Sequence, residues 1–144
     1  MAVPVGIILV GHGVTASGML AAAGKIVPSA LNDVVAIDAG LGETPSLTDQ
    51  VCEKLEAVDR GRGVLVITDL VGASPWGCVQ RECNGHRSVV LSGLNLAMLL
   101  KLATLDRLQL EPIQLAHEVA RSGHRSVTID GALVGMVGED EEEK

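Results

Sequence analysis

The stretch VGIILVGHG, from Val5 to Gly13, decides the fold. Its apolar part, Val5 to Val10, is continuous rather than alternating, and it stops at glycine, histidine, glycine. A strand with one wet face alternates apolar and polar residues. A short unbroken apolar run belongs to a strand covered on both faces, as in parallel sheets packed between helices. The run is too short for a membrane span, which needs roughly 18 consecutive apolar residues. It also lacks the basic leader of a signal peptide. The expected location is the cytoplasm.

The same punctuation recurs downstream. Asp33 to Asp38 (DVVAID), Gly63 to Thr68 (GVLVIT) and Ser88 to Leu91 (SVVL) are further short strands. Between them lie helical patterns. Ser17 to Val27 precedes Pro28, and Thr44-Pro45 is an N-cap with proline at the first helical position, followed by Leu47, Val51, Leu55 and Val58 on one face. Ser74-Pro75 opens another helix, which stops near Asn84-Gly85. Leu94 to Leu102 and Pro112 to Ser122 are two more, and Arg125 to Ile129 is a last, less apolar strand. Alternating strand and helix predicts an α/β fold: a mostly parallel four-stranded sheet with helices on both faces. Residues 1–130 read as one domain. Residues 131–144 are Gly-rich and then acidic, and read as a flexible tail or an arm for a partner subunit.

Composition removes several function classes. The 144 residues carry a net charge of −7, of which the tail from Glu139 to Lys144 supplies −4. That balance opposes binding to a phosphate backbone. Trp76 is the only aromatic residue, so there is no stacking platform for single-stranded nucleic acid. No nucleic-acid partner is expected. The three cysteines, Cys52, Cys78 and Cys83, lack C-x-x-C spacing and read as reduced, mostly buried thiols. No metal and no cofactor is expected.

In an open parallel sheet, ligands bind beyond the carboxyl ends of the strands, where the strand order reverses. Two such ends carry polar chemistry: Gly11-His12-Gly13 after the first strand and Thr68-Asp69 after the third. If those strands are neighbours, Asp69 can hold one imidazole nitrogen of His12 and leave the other as a nucleophile. The flanking glycines are expected to let a reactant approach the ring. The loop Gly72-Ala73-Ser74-Pro75 enters a helix, whose N-terminus suits an anion. A nucleophilic histidine, an orienting carboxylate and an anion cradle together describe phosphoryl transfer through phosphohistidine. Trp76 reads as packing at the border of the cleft, and His86, His117 and His124 as solvated or capping residues. Gly11-x-Gly13 followed by Gly18 does not match the dinucleotide pattern G-x-G-x-x-G.

These residues resemble the IIA component of the mannose family of the bacterial phosphoenolpyruvate-dependent sugar phosphotransferase system. The resemblance rests on VGHG with His12, DAGLGET at Asp38 to Thr44, VITDLVGASPW at Val66 to Trp76, and SGLNLAMLL at Ser92 to Leu100. It covers Val5 to Ile129. It implies a homodimer in which the strand Arg125 to Ile129 is exchanged between subunits. It implies that His12 takes a phosphoryl group on Nε2 from the phosphocarrier protein HPr, with Nδ1 held by Asp69, and passes it to a IIB partner for sugar uptake. It implies that Gly13, Leu70, Val71, Gly72, Ala73 and Ser74 border the phosphoryl group, and that the protein associates with a membrane IIC/IID complex without entering the membrane. Two features depart from the family. Leu70 and Val71 stand where an aromatic residue is usual, and no IIB domain follows. Three further readings remain open at this stage: a regulatory phosphoprotein on the same scaffold, the branch that passes phosphate to dihydroxyacetone kinase, and a tetrapyrrole metal chelatase using His12 as base and ligand. The sugar is not encoded in these residues.

Overall fold

A computed structural model describes residues 2–40, 45–70 and 88–133 of the chain. The elements are β1 (Gly6–Gly11), α1 (Thr15–Ile26), β2 (Val35–Asp38), α2 (Pro45–Val58), β3 (Val64–Thr68), β4 (Ser88–Ser92), α3 (Leu96–Leu102), α4 (Pro112–Arg125), β5 (Thr128–Ile129) and β6 (Ala132–Leu133). The first four strands form one sheet in the order β2-β1-β3-β4. Every pairing in it is parallel.

The continuous apolar runs are the two central strands. Every residue of β1 and of β3 is buried. Their side chains divide by alternation between two cores. Ile7, Leu9, Leu65 and Ile67 pack with Ala16 and Ala23 of α1, Met98, Leu99 and Leu102 of α3, and Leu115, Ala116 and Val119 of α4. Ile8, Val10, Val64 and Val66 face the other way, onto Leu47, Val51 and Leu55 of α2. Two-sided burial is why these strands show no polar alternation. The edge strand β4 is half-buried throughout.

Several boundaries move from their expected places. α1 begins at Thr15, two residues before Ser17. α3 begins at Leu96 because Asn95 caps it, accepting a hydrogen bond from the Met98 backbone N–H at 3.1 Å. The helix α4 continues to Arg125, so the last strand starts later than expected. That strand shrinks to Thr128–Ile129 and pairs antiparallel with Ala132–Leu133 of the expected tail. Helix propagation across Ser122 to Arg125, where Gly123 packs against Met98, overrides the weak strand pattern. Cys52 is disulfide-bonded, contrary to the expected reduced thiols; its partner lies outside the described residues. Pairing of this kind depends on three-dimensional approach, which C-x-x-C spacing does not report. At His124, expected as solvated or capping, the residue is half-buried and its Nε2 is buried without a hydrogen-bond partner among the described residues. The expected N-cap at Thr44 and the helix from Ser74 to Asn84 lie outside the described residues. Among the described residues, no helix is long and apolar enough to cross a membrane.

Candidate functional site

The strand order reverses between β1 and β3. From β1 the chain crosses to β2 on one side, then returns past β1 to β3 on the other. His12 follows β1 and Asp69 follows β3, so both stand at that switch point, where α/β sheets open a crevice. The ladder register sets their ends level, with Val10 opposite Thr68.

The expected pairing is present. Asp69 Oδ2 accepts the His12 backbone N–H at 2.8 Å. His12 Nδ1 lies 3.1 Å from Asp69 Oδ1 and 3.2 Å from Oδ2. Burial pushes the Asp69 carboxyl upward, but the backbone N–H and ring of His12, with the Leu70 backbone N–H, outweigh it and hold the group below the usual carboxylate range. An ionised carboxylate only accepts hydrogen bonds. Nδ1 therefore carries the proton, which in the neutral ring leaves the lone pair on Nε2. The His12 side chain remains 38% exposed while that of Asp69 is only 14% exposed, so the carboxylate is sheltered and the imidazole is reachable.

Backbone contacts fix the histidine turn from α1, β2 and β3. The His12 carbonyl accepts from the Thr15 N–H at 3.0 Å and from the Thr15 hydroxyl at 2.6 Å. The Gly13 N–H donates to the Gly40 carbonyl at 2.7 Å, and the Ala39 N–H donates to Gly11 at 2.7 Å, tying the turn to β2. On the other side, the Asp69 N–H donates to Val10 at 3.2 Å. The two glycines serve geometry. Gly13 has φ of +55°, which disfavours other residues. At Gly11 a Cβ would stand 3.0 Å from Thr15 Cβ, 3.1 Å from the Ala16 nitrogen and 3.4 Å from Asp69 Oδ2.

Two polar residues at the site were not singled out from the sequence. Thr68 is fully buried, and its hydroxyl bonds the Leu70 carbonyl at 3.1 Å and the Ser92 hydroxyl at 3.2 Å. It shapes the turn that carries Asp69. The signal was available: a hydroxyl closing an otherwise apolar run needs a partner once buried. Asp38, at the end of β2, accepts from the Ser17 N–H at 3.0 Å and from the Ser17 hydroxyl. That contact spans 21 residues and has no local signature. Val14 and Leu70, each close in sequence to one member of the pair, are 73% and 61% exposed. Of the residues expected to border a phosphoryl group, Gly13 and Leu70 adjoin the pair, while Val71, Gly72, Ala73 and Ser74 lie outside the described residues. Among the described residues, no three His, Cys, Asp or Glu side chains group as a metal site.

Comparisons with known proteins agree with this fold. A family model described as the PTS system fructose IIA component matches residues 6–120. Phosphotransferase system component EIIA from Streptococcus agalactiae has a similar solved structure, with 28% identity and a TM-score of 0.68; the match covers 87% of this chain and 96% of that one. The mannose/sorbose specific IIA subunit from Enterococcus faecalis is similar at 25% identity and a TM-score of 0.68, covering 93% of this chain and 100% of that one. No curated protein matches the chain significantly.

Proposed function

The chain belongs to the IIA component family of the sugar phosphotransferase system, and from that premise we propose that His12 is the phosphoryl acceptor of a protein relay. Its donor is the phosphocarrier HPr, and its acceptor is a IIB partner that serves sugar uptake. The observation that carries this reading is the Nδ1 contact with a carboxylate held ionised. In the transfer, the Nε2 lone pair attacks phosphorus while the donor's P–N bond breaks and the donor imidazole leaves with that electron pair. The Nδ1 proton stays between the ring and Asp69, which offsets the positive charge the ring acquires. No proton leaves the site, and the reverse sequence loads the acceptor. Gly13, Leu70 and the segment Val71 to Ser74 border the phosphoryl group.

Val14 and Leu70 are the apolar surface that each partner covers. A phosphohistidine on another protein reaches Nε2 only by bringing its own surface over the neighbours of His12. In this reading the protein acts in the cytoplasm, beside a membrane IIC/IID complex, as a homodimer. Residues 1–130 form the phosphotransfer domain. The exposure of Val127 (51%) and Ile129 (69%), with β4 at the sheet edge, supports strand exchange between subunits at this end of the chain.

The test is incubation with phosphoenolpyruvate, enzyme I and HPr, followed by intact-mass measurement. One acid-labile, alkali-stable phosphoryl group should appear on the wild type. Uptake of that group by His12→Ala would end the assignment. A label that forms but moves to no IIB protein would favour a regulatory phosphoprotein.

A further inference from the structure

The helix α1 begins directly after the His12 turn. Its N-terminus, three residues after His12, is a set of backbone donors of the kind that suits an anion. A carboxylate already occupies it. Asp38 accepts both the backbone N–H of Ser17, the third residue of α1, and the Ser17 hydroxyl. The β1–β2 ladder pairs Asp38 with Gly11, the residue before His12. Neighbouring strands lie about 4.8 Å apart. The histidine thus stands between carboxylates from the strands on either side. Asp69 touches the ring; Asp38 is exposed and makes no hydrogen bond to His12.

We propose that Asp38 sets the phosphoryl-transfer potential of His12. Its negative charge repels a phosphoryl group on Nε2. Phosphohistidine at this position is then kept high in free energy and is passed on rather than retained. The inference rests on the relay reading above. It adds no chemical step: the P–N bond that forms at Nε2 and the P–N bond that breaks on the donor are the same, and only their relative stability changes. A relay intermediate benefits from such an arrangement, because a site that binds its phosphoryl group too well holds it back from the acceptor.

Charge and capping separate in two variants. Asp38→Asn removes the charge and keeps an acceptor for Ser17. Ser17→Ala removes the hydroxyl contact and keeps the charge. The measurement is the equilibrium between phospho-HPr and the phosphorylated protein, together with the hydrolysis half-life of phospho-His12. Asp38→Asn should shift the equilibrium toward phospho-His12 by about fivefold at low salt and lengthen the half-life, as expected for like charges at the ends of neighbouring strands. The shift should shrink in about 1 M salt, and Asp38→Glu should restore wild-type behaviour. Ser17→Ala should lower Tm slightly and leave the equilibrium in place. An Asp38→Asn protein with wild-type equilibrium and half-life would overturn the proposal, as would a Ser17→Ala protein shifted equally. The relay reading is checked separately: wild-type protein that takes no phosphate on His12, even from phosphoramidate, removes both.

Discussion

At the amino end of the sheet, Arg107 donates to Asp33 and to the Val5 carbonyl, the Asp33 contact being bidentate. Arg62 donates to the Arg107 and Leu110 carbonyls, at 2.6 and 3.0 Å. At the carboxyl end, His12 meets Asp69. Both ends pair a carboxylate with a nitrogen base, and both carboxylates sit below their usual range. The Arg107 guanidinium does this at Asp33; the His12 contacts, working against burial, do it at Asp69. The cations differ. A guanidinium is always charged and has no lone pair to offer, so its contacts can only hold the chain together. An imidazole keeps one nitrogen as a nucleophile when the other is held. The burial is reversed as well. Arg107 is 12% exposed with its carboxylate 50% exposed, whereas His12 is 38% exposed with its carboxylate 14% exposed. The strut shelters its cation; the pair at the carboxyl end shelters its carboxylate and presents its imidazole.

That contrast is open to breaking at either end. His12→Ala should abolish phosphorylation and leave Tm nearly unchanged, because the half-exposed ring carries little of the core; intact mass and thermal melts read the two effects. Asp69→Asn should slow phosphorylation by about a hundredfold, the usual scale for losing a held proton position, with the fold retained. A variant that unfolds instead would make Asp69 structural. Arg107→Ala should do the opposite. It should cost about 2 kcal/mol of stability, below the full cost of breaking a buried pair because Asp33 is half exposed. That corresponds to a Tm lower by about 6 °C, with the phosphorylation rate kept.

A finer test concerns who delivers the phosphate. Val14→Ser with Leu70→Ser should slow HPr-dependent phosphorylation by about tenfold, as expected for losing two small apolar contacts at an interface. Labelling by phosphoramidate should stay at the wild-type rate. Equal loss with both donors would place these residues in the chemistry instead of docking. The smallest effect is on acid stability. The folded-state pKa values of Asp33 and Asp69 are lowered, so their stabilisation is complete above the unfolded carboxylate range and is lost as pH falls through the folded values. Urea midpoints followed into acid should fall less steeply in Arg107→Ala than in the wild type.

Much of the architecture was legible because its determinants are local. Val5 to Val10 and Val64 to Ile67 announce doubly covered strands by their composition alone, and His12 and Asp69 are conspicuous as the polar residues that end them. The C-terminal strand was misplaced because Arg125 to Ile129 carries no strong period in either direction, and packing of Gly123 on Met98 let the helix run on. The Cys52 disulfide and the buried nitrogen of His124 were likewise invisible, since each depends on residues that approach only after folding.

The amino-acid sequence by itself determined the class of sheet, the two residues that end its central strands, and the family to which the chain belongs. Unbroken apolar runs, turn glycines and short motifs are properties of neighbouring residues. Only the tertiary structure decided that β1 lies between β2 and β3, and so that His12 is bracketed by Asp69 on one side and Asp38 on the other. The physical reason is range. Hydrophobic pattern is written over a few residues, but strand order is settled by how whole layers of helices cover a sheet. The carboxylates that bracket this histidine lie 26 and 57 positions away in the chain.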